Sequence, residues 1–151
     1  METADCVFCK IVSGEIPSEK VWEDDEFLAI LDVNPNTLGM SILMTKSHYD
    51  SYLEEMPDEL AGRFLVAAKK VGRLLDQKLG SKRTAMVLEG IGVNHAHIKL
   101  YPMHGLGEKF PGRESDETVF YKQYPGFITT KRGPQAPPEE LKKIKEKIRG
   151  E

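Results

Sequence analysis

The most regular alternation of polar and apolar side chains runs over residues 95–102, His-Ala-His-Ile-Lys-Leu-Tyr-Pro. A period of two predicts a β-strand, because successive residues of a strand point to opposite faces. One face carries nitrogen groups and the other apolar groups: His95, His97 and Lys99 alternate with Ala96, Ile98 and Leu100. The apolar face is expected to enter the core, whereas each nitrogen group needs a partner or solvent to offset desolvation. The polar face is therefore either an exposed strand face or a site for phosphate or metal.

Shorter apolar runs predict four further strands, at residues 20–23, 26–31, 40–44 and 84–89. Asp24 and Asp25 separate the first two and favour a turn, so these strands are expected to form a hairpin. Gly14 marks the end of a short helix that precedes them. With residues 95–102, the strands make an antiparallel sheet of about five strands.

Residues 57–79 have a different period, in which apolar residues recur every three or four positions. These are Leu60, Phe64, Ala67, Val71, Leu74 and Leu75. Such spacing gives a helix one apolar stripe. Asp58 and Glu59 suit the positive N-terminal end of this helix, and Gly80 suits its C-terminal end. The sequence thus predicts an α+β domain with one long core helix, short flanking helices and an antiparallel sheet.

The chain continues well beyond Pro102. Two short strands are predicted at 119–121 and 127–130, around the turn formers at 124–126. A final helix is predicted from Pro137 to near Arg149, because acidic residues follow its start and basic residues precede its end.

The composition is that of an ordinary globular protein, with 151 residues, 40% hydrophobic residues, 30% charged residues and a net charge of −3. A chain of this length is expected to form one domain with a real core. The mildly acidic balance disfavours binding to duplex nucleic acid, which needs many phosphate contacts. No apolar run is long enough to span a membrane, and the acidic N-terminus is unlike a secretory signal. We expect no membrane association and a cytoplasmic location.

Cys6 and Cys9 form a Cys-x-x-Cys pair, which is compatible with a redox pair, a structural disulfide or half of a tetrahedral zinc site. A reducing compartment disfavours the disulfide. A redox pair is expected to follow a strand, and few residues precede Cys6. Zinc needs two more ligands, and His48 and His95 would complete a Cys2His2 set.

The run from His95 to Lys99 resembles the signature of the histidine triad (HIT) family, His-x-His-x-His with apolar x, and Lys99 takes the third position. The resemblance covers residues 5–104 and implies a HIT domain over residues 1–104, followed by an extension, 105–151, packed on the same domain. It implies that His97 is the nucleophile that attacks the α-phosphorus of a nucleotide and becomes nucleotidylated. It also places this chain in the subset that carries Cys-x-x-Cys and a Lys-x-His segment, here Lys46-Ser47-His48, so that Cys6, Cys9, His48 and His95 bind a structural zinc.

The resemblance also assigns the nucleotide contacts. Asp32 would bind the ribose hydroxyls, although a turn alone would also explain this residue. Apolar groups at Val7, Phe8 and Ile11 would face the base, although each could equally be a core residue. The loop between the strands predicted at 84–89 and 95–102 is shorter than in nucleotide-hydrolysing members and lacks their glutamine and serine, and Asn94 would replace one lost phosphate contact.

Because a lysine takes the place of the third histidine, more than one reaction is compatible with the sequence. A lysine can stabilise negative charge on phosphate oxygens but is a poor general acid near neutral pH. The main prediction is a HIT-type nucleotide phosphohydrolase acting on a nucleotide or dinucleoside polyphosphate. The alternatives are a nucleotidylyltransferase with a phosphate acceptor and a nucleotide-binding protein without turnover. HIT proteins commonly form homodimers, so basic residues of the extension could reach the partner's pocket: Lys109, Arg113, Lys131 or Arg132.

Overall fold

The computed structural model describes residues 5–107 and 117–150. The chain divides into two compact units, Met1–Phe110 and Pro111–Glu151. Among the described residues, no helix is both long enough and apolar enough to cross a membrane.

The first unit contains a five-stranded sheet in the order β1-β2-β3-β5-β4, in which all neighbours are antiparallel. The strands are β1 (Lys20–Glu23), β2 (Phe27–Leu31), β3 (Ser41–Thr45), β4 (Thr84–Val87) and β5 (His97–Pro102). The hairpin of β1 and β2 forms because Asp24 Oδ1 accepts the backbone N–H groups of Glu26 and Phe27, at 2.9 and 2.8 Å. The predicted antiparallel sheet is confirmed, and its strand with the alternating pattern, β5, lies between β3 and β4.

The long helix α2 (Asp58–Leu79) covers one face of this sheet, and Gly80 ends it with a left-handed φ of 69°. The core on this side contains Phe64 and Val71 of the helix and Ile98 and Leu100 of β5, all at most 1% exposed. The apolar face of the alternating strand therefore enters the core, as predicted.

The short helix α1 (Val7–Ser13) lies over the other face and ends at Gly14. It contributes to a second apolar cluster: Cys6, Phe8, Ile11, Leu28, Ile30 and Met44. His95 and His97 belong to this face of the sheet and are 0% and 6% exposed. The alternative of a solvated polar face is therefore wrong, because an apolar helix covers the histidines.

In the second unit, helix α3 (Pro138–Arg149) is confirmed and ends before Gly150. The strands predicted at 119–121 and 127–130 are wrong, because the described residues 117–136 contain no strand. The Val119 N–H donates to the Arg132 carbonyl at 2.9 Å, and Tyr121 packs edge-on against Phe127. An isolated pair of short strands is marginal in water, so local β-propensity alone does not form a ladder here.

Candidate functional site

Four predicted metal ligands lie together where α1 meets the sheet. The ligand atoms of Cys6, Cys9, His48 and His95 all lie within 4.8 Å of one another. His95 Nδ1 lies 3.3 Å from Cys6 Sγ and 3.6 Å from Cys9 Sγ, and His48 Nδ1 lies 3.4 Å from Cys9 Sγ. Residues from both ends of the first unit thus converge on one point.

The two imidazoles are oriented by groups behind them. His95 Nε2–H donates to the Thr45 carbonyl at 2.7 Å, so Nδ1 carries the lone pair that faces the thiols. His48 Nε2 lies 3.7 Å from Asp50 Oδ1. Burial lowers the pKa of His95, an effect that the Thr45 hydrogen bond partly opposes. Both rings therefore present Nδ1 to the same point as the two thiols.

Three S···N distances within this donor set are close to those of a tetrahedral metal site. Zn–S bonds of about 2.3 Å and Zn–N bonds of about 2.0–2.1 Å give S···N edges of roughly 3.6 Å in a tetrahedron. The observed S···N distances are 3.3, 3.4 and 3.6 Å. Burial, with the hydrogen bond and charge of Cys6, raises the pKa of the Cys9 thiol to about 11. A bound cation would supply the positive charge that both thiolates need, so these four residues could hold a metal ion.

His97 lies two residues further along, on the same face. Its Nδ1–H donates to the His95 carbonyl at 2.7 Å, which fixes the tautomer and leaves the lone pair on Nε2. Burial lowers the pKa of His97, and this favours the neutral imidazole. The Phe8 ring packs edge-on against His97, with ring centroids 5.3 Å apart. The Nδ1–H bond thus leaves the Nε2 lone pair of His97 available for nucleophilic attack.

Lys99 is paired with a carboxylate that the sequence analysis did not identify. Its Nζ lies 3.0 Å from Glu89 Oε2, and the two side chains are 25% and 12% exposed. The β4–β5 ladder ends where Val87 pairs with Lys99, and Glu89 lies two residues beyond that pair. Its carboxylate reaches the Lys99 ammonium on the face of β5 that also carries His97. His97, Lys99 and Glu89 therefore form one polar group on the site side of the sheet.

The residues predicted to contact the base and the ribose occupy apolar and turn positions. Asp32 follows β2 and is half-buried, and its Oδ1 accepts the Asn34 N–H at 2.8 Å, as in a turn. Phe8 and Ile11 are 7% and 8% exposed and belong to the second apolar cluster, whereas Val7 is 38% exposed. The core and turn roles of these residues are thus observed, and their contacts with a nucleotide stay predictions.

Asn94 braces the segment that follows His48. Its Nδ2 donates to Asp50 Oδ1 at 2.9 Å, and its Oδ1 accepts the Ser51 N–H at 3.0 Å. Ser51 Oγ donates to the Gly90 carbonyl at 2.8 Å. A phosphate contact through Asn94 stays a prediction and would compete with these bonds.

A family model described as the HIT domain matches residues 13–108. The chain belongs to the HIT family. An uncharacterised HIT-like protein of Methanocaldococcus jannaschii is 39% identical over 109 residues, which are 68% of this chain and 83% of that protein. The adenosine 5′-monophosphoramidase of Candida albicans is 32% identical over 128 residues, 75% of this chain and 82% of the enzyme. The crystal structure of a zinc-bound histidine triad protein from Mycobacterium smegmatis has a TM-score of 0.63 at 27% identity and covers 76% of this chain and 86% of that chain.

In this HIT protein, four residues of the site were not predicted from the sequence. Each lies next to a residue that was predicted: Thr45, Asp50, Ser51 and Glu89. Glu89 precedes a glycine at the end of a predicted strand, but only its ion pair with Lys99 shows that it belongs to the site. Of the basic residues assigned to the extension, Lys131 pairs with Glu117 within the second unit. Lys109 and Arg113 lie outside the described residues.

Proposed function

We propose that this HIT protein is a nucleotide phosphohydrolase that acts at the α-phosphate through a covalent nucleotidyl intermediate on His97. The observation that carries the proposal is the hydrogen bond from His97 Nδ1–H to the His95 carbonyl, because it commits Nε2 to nucleophilic attack. The similarity to an adenosine 5′-monophosphoramidase supports the same chemistry.

The proposal gives the neighbouring side chains separate roles. Lys99 stabilises the negative charge that develops on the non-bridging phosphate oxygens. Asp32 binds the ribose hydroxyls as an acceptor, and Phe8 and Ile11 form an apolar wall beside the base. Asn94 stays the predicted phosphate contact of the short loop.

We also propose that Cys6, Cys9, His48 and His95 hold a zinc ion with a structural role. All four positions of a tetrahedral ion would be filled by protein, so no position would remain for substrate. The ion would fasten α1 to the start of β5, where the His95 carbonyl orients His97. Zinc would therefore stabilise the position of the nucleophile and take no part in the chemistry.

The test compares wild type with His97→Asn on adenosine 5′-phosphoramidate and diadenosine tetraphosphate. We expect wild type to release AMP, and the substitution to reduce kcat by more than about a thousandfold, because the whole two-step route depends on one nucleophile. His104→Asn is the matched control, since His104 is an exposed histidine bound to the Leu38 carbonyl. Equal rates for wild type and His97→Asn would overturn the proposal.

Lys99 favours one second candidate, a nucleotidylyltransferase. Its ammonium beside the nucleophile would attract an anionic acceptor better than water. Adding inorganic phosphate to the same assay separates the two reactions: a transferase would form ADP, whereas a hydrolase would continue to form AMP.

The predicted homodimer is a separate proposal. Light scattering on the purified protein would test it, and a monomeric mass at working concentration would contradict it.

A further inference from the structure

Glu89 is a partly buried titratable side chain of the site that the proposed mechanism does not use. Its side chain is only 12% exposed, and its Oε2 lies 3.0 Å from Lys99 Nζ. It follows Val87, the residue that ends β4 opposite Lys99, by two positions. Because Lys99 shares a face of β5 with His97, the carboxylate lies on the side of the sheet that carries the nucleophile.

The backbone around Glu89 is fixed as well. Gly90 follows it with φ of 69°, and a Cβ at Gly90 would lie 2.9 Å from the Ser51 carbonyl oxygen. Ser51 in turn donates its hydroxyl to the Gly90 carbonyl at 2.8 Å. The carboxylate is therefore held by Lys99, and the backbone next to it is held by the Ser51–Gly90 hydrogen bond. Such immobilisation suits a group that must reach a reacting atom.

Hydrolysis of a nucleotidyl–histidine needs a proton acceptor that Lys99 cannot provide. When water attacks the phosphorus, an O–P bond forms, the P–Nε2 bond breaks, and one proton leaves the water. An ammonium group has donors only, whereas a carboxylate has two acceptor oxygens. With Oε2 on Lys99, the other oxygen of Glu89 can still accept a proton.

We infer that Glu89 is the general acid–base residue of this site and that Lys99 anchors it. This inference rests on the proposed function. In the second step Glu89 takes the proton of the attacking water, so that nucleoside monophosphate and neutral His97 are released. In the next turnover the protonated Glu89 gives that proton to the leaving group. Over one cycle, the proton that Glu89 takes from water equals the proton that it gives to the leaving group.

The test uses the p-nitrophenyl ester of AMP, whose leaving group departs without protonation, with wild type, Glu89→Gln and Glu59→Gln. Glutamine keeps an oxygen for Lys99 but cannot take a proton from water. Glu59 is the matched control, because it is exposed on α2, the helix on the opposite face of the sheet. Rapid mixing separates the first release of p-nitrophenolate from steady turnover.

For Glu89→Gln we expect a burst of about one p-nitrophenolate per chain and then a steady rate at least about 100-fold below wild type. The burst itself reports folded enzyme with an active nucleophile. Sodium azide should restore the steady rate, since azide attacks phosphorus without a proton to lose. Glu59→Gln should behave as wild type.

Three results would overturn the inference. The first is turnover of Glu89→Gln at the wild-type rate, and the second is loss of burst and turnover together in Glu89→Gln, which would make Glu89 only a positioning residue for Lys99. In either case the burst and turnover of wild type would leave the proposed function intact. If wild type released no p-nitrophenolate, the proposed function would fail, and the inference would fail with it.

Discussion

Replacing Cys6 by serine should remove the metal ion and lower the thermal stability of the first unit. Cys6 is 3% exposed, and its Sγ lies 3.3 Å from His95 Nδ1. Serine has nearly the same shape, so the packing of the second apolar cluster should survive. A neutral hydroxyl is a poor zinc ligand compared with a thiolate, so the main loss should be metal affinity.

The size of the effect follows from linkage. An ion that binds the folded chain alone adds about 2.7 kcal/mol to the free energy of unfolding when free zinc is 100 times Kd. For a chain of about 150 residues, each kcal/mol changes Tm by roughly 2–4 °C. Loss of the ion should therefore lower Tm by roughly 5–11 °C at that zinc concentration.

The assay is thermal unfolding of wild type and Cys6→Ser with buffered zinc and again with a chelator, together with metal analysis. Wild type should carry about one zinc per chain, and the variant should carry much less. The chelator is the control, because it should bring the two proteins to nearly the same Tm. The reasoning is refuted if the variant keeps a full complement of zinc, or if wild-type Tm does not respond to zinc.

Two further substitutions test the ribose contact and the fixed loop. Asp32→Asn should raise KM for a ribonucleotide by roughly tenfold, since a hydrogen bond to a charged group contributes about 1.5–3 kcal/mol, and it should matter little for a 2′,3′-dideoxynucleotide; equal effects on both substrates would contradict the contact. Gly90→Ala should cost more stability in urea unfolding than Gly92→Ala, by about 1–3 kcal/mol, because both glycines have positive φ, of 69° and 94°, but only a Cβ at Gly90 meets the Ser51 carbonyl. Equal losses would show that the close contact relaxes freely.

The period-two pattern over residues 95–102 was sufficient to predict which side chains of β5 enter the core and which face the site. That prediction holds because successive side chains of a strand point to opposite faces. Since both faces of β5 are covered, each side chain has only one face on which it fits. The helix over residues 57–79 was equally clear, because its apolar stripe repeats over many turns.

Contacts between residues that are distant in the sequence could not be predicted from such patterns. Glu89 lies just beyond β4, and only its ion pair with Lys99, at 3.0 Å in the folded chain, shows that it belongs to the site. Thr45 was missed for a related reason, because its role is carried by a backbone carbonyl that any residue would supply. The metal ligands could be grouped from donor chemistry and from the resemblance to a family, but not from spacing, since Cys9 and His48 are 39 positions apart. The strands predicted at 119–121 and 127–130 are the opposite case. Their residues favour β-structure, but an isolated pair of short strands is marginal in water, so no strand forms.

The alternation in β5 limits how this strand can change. Ile98 and Leu100 complete the packing under α2, while His97 and Lys99, their immediate neighbours, face the site. Inserting or deleting one residue would turn the aliphatic side chains toward the site and bury the cation among hydrocarbons, so that packing and chemistry would fail together. This short strand can therefore vary by substitution but not by length.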